Sequence, residues 1–177
     1  MRTKLAIFLA AAFLACFAHA DNAIIFSSRL PKPWTLLSSQ TLPGTNTDTH
    51  SSFTANRTVL QDTTNLTTMM IFVAPATPSQ LTNNLAVEAR NWVDGVLNTF
   101  AERRNFAITK LVVKNEESKT FAETAFTIQL QDATLFGISR YSMVETNALG
   151  WVAFGRSNAI ETNKVVLGIA ESVRIRK

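Results

Sequence analysis

The stretch at residues 77–105, TPSQLTNNLAVEARNWVDGVLNTFAERRN, separates two groups of strand-like segments and is the longest amphipathic stretch of the chain. Thr77, Pro78 and Gln80 are typical of a helix start, because threonine caps, proline suits the first helical position and glutamine completes a capping box. Apolar side chains then recur at helical spacing, at Leu81, Leu85, Ala89, Trp92, Val93, Val96, Leu97 and Phe100. This spacing predicts one helix of about seven turns, from Pro78 to Arg104, packed on a broad surface.

Segments with strand character lie on both sides of this helix. Those before it are residues 34–40, 51–60 and 66–74. Those after it are residues 106–113, 120–131, 134–145 and 149–156. Short polar connections join the second group, which predicts an antiparallel meander. Several segments carry apolar residues on both faces at their centres, which predicts a sheet covered on both sides.

The C-terminal segment predicts a second helix. Asn158, three residues before Glu161, is a suitable cap. An apolar stripe follows at Ile160, Val165, Val166, Ile169, Ala170 and Val173. A strand over residues 165–167 is the alternative. The order of elements predicts an α/β chain of the α+β type: a three-layer α/β/α sandwich with a mainly antiparallel sheet, one long central helix and a C-terminal helix.

The first 20 residues have the pattern of an export signal. Arg2 and Lys4 precede an apolar run, and the small residues Ala18 and Ala20 mark a cleavage site. We expect cleavage after Ala20 and a periplasmic or secreted protein. The alternative is a lipoprotein anchored at Cys16. The chain then divides into a signal peptide (1–20), an N-terminal arm (21–33) and a single globular domain (34–177).

Composition excludes several kinds of chemistry from the expected mature protein. Cys16, the only cysteine, lies in the signal, so disulfides, zinc–thiolate sites and cysteine nucleophiles are not expected. Removal of Arg2 and Lys4 lowers the formal net charge from +4 to +2. The remaining basic residues are spread along the chain, which argues against nucleic-acid binding. No later segment is long and apolar enough to span a bilayer.

The titratable residues predict no catalytic, cofactor or metal site. His50 follows Asp48 and precedes Ser51, but a triad is assembled in space rather than from sequence neighbours, so we interpret His50 as a loop residue. Glu116 and Glu117 occupy a charged hairpin tip, where we expect them to be solvated rather than bound to a metal. The candidates for a carboxylate hydrolase are Glu123, Glu145 and Asp132. For Glu123 we favour a structural ion pair with Arg140 on the neighbouring strand.

Aromatic residues and arginines suggest a partner-binding surface. Such residues are favoured at protein interfaces. We expect five of them near one another at the sheet rim: Trp34, Tyr141, Trp151, Arg140 and Arg156.

The order of elements resembles the PsbP-like fold. The resemblance rests on the strand at Trp34 after Pro33, the long helix from Pro78, the meander, and the terminal sequence Ile169-Ala170-Glu171-Ser172-Val173. It covers nearly the whole mature chain as an order of elements. The group includes a photosystem extrinsic subunit, a Ran-binding relative, and exported or effector-chaperone relatives in bacteria. Its members mostly bind or assemble other proteins rather than catalyse.

These observations lead to one expectation about function and two alternatives. We expect an exported, non-enzymatic protein that binds or helps assemble a protein partner in the bacterial cell envelope or a secretion system. The first alternative is a carrier of a small apolar ligand, such as a lipid, between sheet and helix. A carboxylate-based hydrolase is the second.

Overall fold

The computed structural model of the protein describes residues 24–45, 52–100, 105–116 and 119–176. The expected export signal with Cys16, the loop residue His50, Glu117, and the predicted helix end at Arg104 lie outside the described residues. None of the helices in the described ranges has the length and hydropathy needed to cross a lipid bilayer.

Strands dominate the described residues. They are β1 (Ile24–Phe26), β2 (Trp34–Thr45), β3 (Ser52–Asp62), β4 (Thr67–Pro75), β5 (Phe106–Glu116), β6 (Lys119–Gln129), β7 (Thr134–Val144), β8 (Asn147–Gly155) and β9 (Val173–Ile175). The helices are α1 (Pro78–Thr82), α2 (Leu85–Phe100) and α3 (Lys164–Ser172), with a 3₁₀ turn at Ile160–Thr162.

Within the described residues, β2 to β8 form one antiparallel sheet, the main sheet, in the order β2-β3-β4-β8-β7-β6-β5. The predicted meander is confirmed, because β5 to β8 each pair with the next strand in sequence. β8 also pairs with β4, which joins the meander to the strands before the helices. β1, from the predicted N-terminal arm, pairs with β9, so that Ile24 lies opposite Ile175 and Phe26 opposite Val173.

The predicted long helix is wrong in one respect, because it is broken at Asn83 and Asn84. The capping box of Thr77 and Gln80 is present at the start of α1. Asn83 ends α1 in an extended conformation, with φ −76° and ψ 162°. The Asn84 side chain accepts a hydrogen bond of 2.9 Å from the Ala86 amide at the start of α2. Two consecutive asparagines favour this break, because asparagine competes for backbone hydrogen bonds and caps helices better than it continues them.

The C-terminal helix is confirmed, but its predicted start at Asn158 is wrong. Asn163 caps α3, since its side chain accepts hydrogen bonds from the amides of Val165 (3.0 Å) and Val166 (3.2 Å). Val165 is 45% exposed and so lies outside the apolar stripe. The helix ends before Val173, which begins β9.

The helices α2 and α3 cover opposite faces of the main sheet, called here the α2 face and the α3 face. The core on the α2 face contains Val59, Met70, Val93, Val96, Leu97, Phe126, Ile128 and Val152. The core on the α3 face contains Trp34, Leu60, Met69, Ile71, Ile138, Trp151, Ala153, Ile160, Val166, Ile169 and Val173. Strands make up 57% of the described residues, so the predicted antiparallel sheet is confirmed, but the protein is richer in strand than a balanced α/β/α sandwich.

Candidate functional site

The five residues expected at one partner-binding rim do not form a common surface. Trp34 and Trp151 are buried in the core of the α3 face, with exposed fractions of 6% and 5%. Tyr141 is 1% exposed and packs with Ala89, Ala122 and Ala148 on the α2 face. Arg156 is exposed, one residue after the end of β8. Of this set, the Arg140 guanidinium lies 5.7 Å from the centroid of the Trp151 ring, and Trp34 and Trp151 belong to the same core cluster.

Arg140 anchors a charged cluster on the α3 face. Its Nε donates a hydrogen bond of 2.9 Å to Glu123 Oε2, and Lys114 Nζ lies 2.8 Å from Glu123 Oε1. The three residues come from the adjacent strands β5, β6 and β7, and Glu123 lies directly opposite Arg140 in the register. The predicted structural ion pair between Glu123 and Arg140 is therefore confirmed.

The surroundings of Glu123 hold its carboxylate in the charged form. Burial alone raises the pKa of the carboxyl, because it removes water from the charged group. The hydrogen bonds and positive charges of Lys114 and Arg140 outweigh burial, and the net pKa is lowered from its ordinary value. A carboxyl that stays ionised suits an ion pair and does not suit a general acid.

Two aromatic rings flank the Arg140 guanidinium. Its Cζ lies 4.5 Å from the centroid of the Phe121 ring and 5.7 Å from that of Trp151. Both distances fall within the range of cation–π contact. The arginine side chain is only 16% exposed, so ring contacts and the ion pair together fix its orientation. The result is a rigid floor of one cation and two aromatic rings.

On the α2 face, Tyr141 belongs to a separate aromatic group. Its ring centroid lies 6.1 Å from that of Trp92, and its hydroxyl contacts Met143 Sδ at 3.8 Å. Burial, followed by the negative charge of Glu88, raises the pKa of Tyr141 to about 12. Tyr141 is therefore a neutral core residue at physiological pH.

A cleft of about 720 Å³ opens beside the Arg140 floor. Its apolar lining includes Leu81, Leu85, Phe121, Val144, Leu149 and Trp151. Its charged lining consists of Glu116, Lys119, Arg140, Glu145 and Glu171. Leu81 and Val144 are 54% and 37% exposed, so the cleft presents apolar side chains to solvent. This cleft is the candidate functional site.

A smaller groove of about 340 Å³ lies between α2 and the strands β2 to β4. Leu42, Arg57, Phe72, Trp92 and Val96 contribute to its lining. It is called here the side groove, and it is the place where a sheet and a helix could hold an apolar ligand.

The three candidate hydrolase carboxylates do not meet. Asp132 precedes β7 and Glu145 follows it, which separates them by the length of an 11-residue strand, roughly 35 Å. The Glu123 carboxylate forms ion pairs with Lys114 and Arg140. In the described ranges, no three His, Cys, Asp or Glu side chains gather closely enough to hold a metal ion.

Reasoning from the sequence missed the cleft itself. Leu81 comes from α1, Val144 from the end of β7 and Glu171 from α3, so the cleft is assembled from distant parts of the chain. One signal of the cleft in the sequence is the pair of asparagines, Asn83 and Asn84, close to Leu81, because asparagine interrupts a helix more readily than it continues one.

Comparison with known proteins identifies the fold but no close relative. The structure is similar to the solution structure of cyanobacterial PsbP (CyanoP) from Synechocystis sp. PCC 6803, with a TM-score of 0.51. The match covers 78% of this chain and 92% of that chain at 10% sequence identity. No protein-family model matches the sequence, and no curated protein matches it. The fold is therefore PsbP-like, as the sequence predicted, and a likeness at this identity carries no activity.

Proposed function

We propose that the protein is an exported, non-enzymatic binding protein that holds or helps assemble a protein partner in the bacterial cell envelope or a secretion system. The observation that carries the proposal is the cleft, in which solvent-exposed Leu81 and Val144 stand beside the rigid floor formed by Phe121, Arg140 and Trp151. Aromatic and arginine side chains with exposed apolar neighbours are the composition that protein interfaces favour.

The charges of the cleft indicate the kind of partner segment that fits. Three of the five charged lining residues are glutamates, Glu116, Glu145 and Glu171, and Arg140 already pairs with Glu123. A segment with large apolar side chains flanked by basic residues complements this arrangement. The N-terminal signal pattern supports export, with release after Ala20 or anchoring at Cys16 as the two routes.

Introducing a negative charge at an apolar position of the cleft tests the partner proposal. We expect Leu81→Asp and Val144→Asp each to reduce partner recovery by about tenfold in cross-linking and affinity capture from the native host, because an unpaired carboxylate is then buried at the interface. Both side chains are exposed, so folding should be retained. Trp34 and Tyr141 are unsuitable test positions, since both are buried in the core.

Leu66→Asp is the matched control, because Leu66 is 58% exposed and does not line the cleft. It should capture the partner as well as the unaltered protein does. Equal recovery with all three variants, or failure of the unaltered protein to capture any partner, would contradict the proposal.

The second candidate function is the carriage of a small apolar ligand, and the side groove beside Trp92 favours it. Native mass spectrometry of freshly purified protein separates the two functions. A carrier should show a reproducible added mass that disappears on unfolding. A protein-binding function should show the bare chain alone.

A further inference from the structure

The strand β2 occupies one edge of the main sheet and β5 occupies the other. Within the part of the chain that the structure describes, β2 pairs only with β3. The backbone groups along its outer side therefore point away from the sheet, where they can pair with a further strand.

The two edges differ in how they are protected. β5 carries Lys110, Lys114 and Glu116, and charged side chains on an edge strand discourage pairing with another chain. β2, with the sequence WTLLSSQTLPGT, contains no charged residue. Leu36 and Leu37 on β2 are 55% and 52% exposed. A bulge and a proline interrupt β2 and protect parts of this edge, but the uncharged stretch between them remains open to strand addition.

We propose that β2 pairs in antiparallel fashion with β2 of a second copy of this chain. The register follows from two interruptions within the strand. The pairing with β3 shifts between Leu36 and Ser38, and Pro43 has no amide to donate. The regular stretch between them is 38–42, so a twofold axis that uses all of it passes through Gln40.

A second copy fits this edge because the pairing is self-complementary. In the Gln40 register, Leu37 and Leu36 of each copy lie opposite Pro43 and Gly44 of the other, at the two ends of the paired stretch, where pairing shields part of each leucine from water. No like charges meet, because β2 has none. The lysines of β5 oppose pairing at the other edge, so assembly closes as a twofold dimer rather than growing into a fibre.

The dimer leaves the cleft free. The cleft is lined by residues of β5 to β9 and the helices, and none of its lining residues comes from β2, β3 or β4. We expect the pairing of one strand to bury less surface than a standard interface of about 1,600 Å². The dimer is therefore concentration-dependent, and it presents two clefts to a partner.

Analytical ultracentrifugation over a range of protein concentrations tests the proposal. We expect the mass to rise towards twice that of the monomer, and Leu37→Lys to weaken dimerisation by at least about tenfold. Val113→Lys is the matched control, because Val113 on β5 is 45% exposed, and it should dimerise normally. A monomer at all concentrations, or equal effects of the two lysines, would overturn the proposal.

A cysteine at the twofold axis tests the register. In the Cys16→Ser protein, Gln40→Cys introduces the only cysteine. Oxidation should convert it to a disulfide-linked dimer, and Val113→Cys in the same background should remain mainly monomeric. Equal cross-linking at both positions would overturn the β2 pairing. Loss of partner capture by Leu37→Lys in a protein that stays monomeric would likewise overturn it, in favour of strand addition by another protein.

Discussion

Replacing Phe126 with alanine is expected to lower the free energy of unfolding by about 3–5 kcal/mol. Phe126 is 1% exposed and lies in the core between α2 and the main sheet. Its ring also occupies the space above Gly137 on β7, where an added Cβ would collide with it. The alanine variant therefore leaves a cavity that no neighbouring side chain fills without moving.

Urea unfolding followed by circular dichroism measures this loss. Thr127→Ala on the same strand is the control, and it should change the free energy of unfolding by less than about 0.5–1 kcal/mol because its side chain is only partly buried. Gly137→Ala should also destabilise the protein, since Phe126 blocks the new methyl group. An effect of Phe126→Ala no larger than that of Thr127→Ala would show that α2 does not pack on β6.

Removal of the Glu123 carboxylate is expected to cost about 2–3 kcal/mol. The Glu123→Gln variant leaves the Arg140 guanidinium, 16% exposed, without its counter-charge. Replacing both partners, as in Glu123→Leu with Arg140→Met, should recover much of the loss because no unpaired charge remains. Lys114→Met should cost at most about 1 kcal/mol, since Lys114 is 40% exposed.

The same ion pair predicts how stability depends on pH. The pKa of Glu123 is lowered in the folded state by Lys114 and Arg140, against the opposing effect of burial. Its contribution is therefore complete above the unfolded pKa, near 4.5, and is lost as the pH falls through the folded pKa. The free energy of unfolding should fall less on acidification in Glu123→Gln than in the unaltered protein.

Asp62 also loses stabilisation on acidification. Burial raises the pKa of its carboxyl, but hydrogen bonds from Asn65 and Thr64 outweigh burial and lower the net pKa. It contributes equally to both proteins, so the difference between their acid profiles isolates Glu123. Identical profiles would contradict a stabilising role for the Glu123 ion pair.

Local patterns predicted the parts of this protein that depend on near neighbours. The alternation along 120–131 and 134–145 and the short connection between them predicted the meander, and with it the meeting of Glu123 and Arg140. The capping box at Thr77 could be predicted for the same reason, since all of its atoms lie within four residues. The PsbP-like order of elements followed from such segments taken in sequence.

The prediction that Arg140 and Tyr141 share one rim was wrong, and the alternation of side chains along a strand explains why. Arg140 and Tyr141 are consecutive residues of one strand, so their side chains must point to opposite faces. The structure places Arg140 on the α3 face and Tyr141 on the α2 face. The sequence also contains a local indication of the helix break at Asn83 and Asn84, because paired asparagines are good caps and poor interior helix residues.

By itself, the sequence determined the strand segments, the capping box at Thr77 and the absence of cysteine from everything after residue 16, because each depends on residue type or short-range spacing. Only the tertiary structure decided that β8 inserts beside β4, that β1 pairs with β9, and that β2 and β5 lie at the edges. Those pairings join residues far apart in the chain, and many alternatives satisfy the same alternation of apolar and polar side chains. The positions of the cleft at Leu81 and of the uncharged edge at Leu37 follow from the strand order of the main sheet.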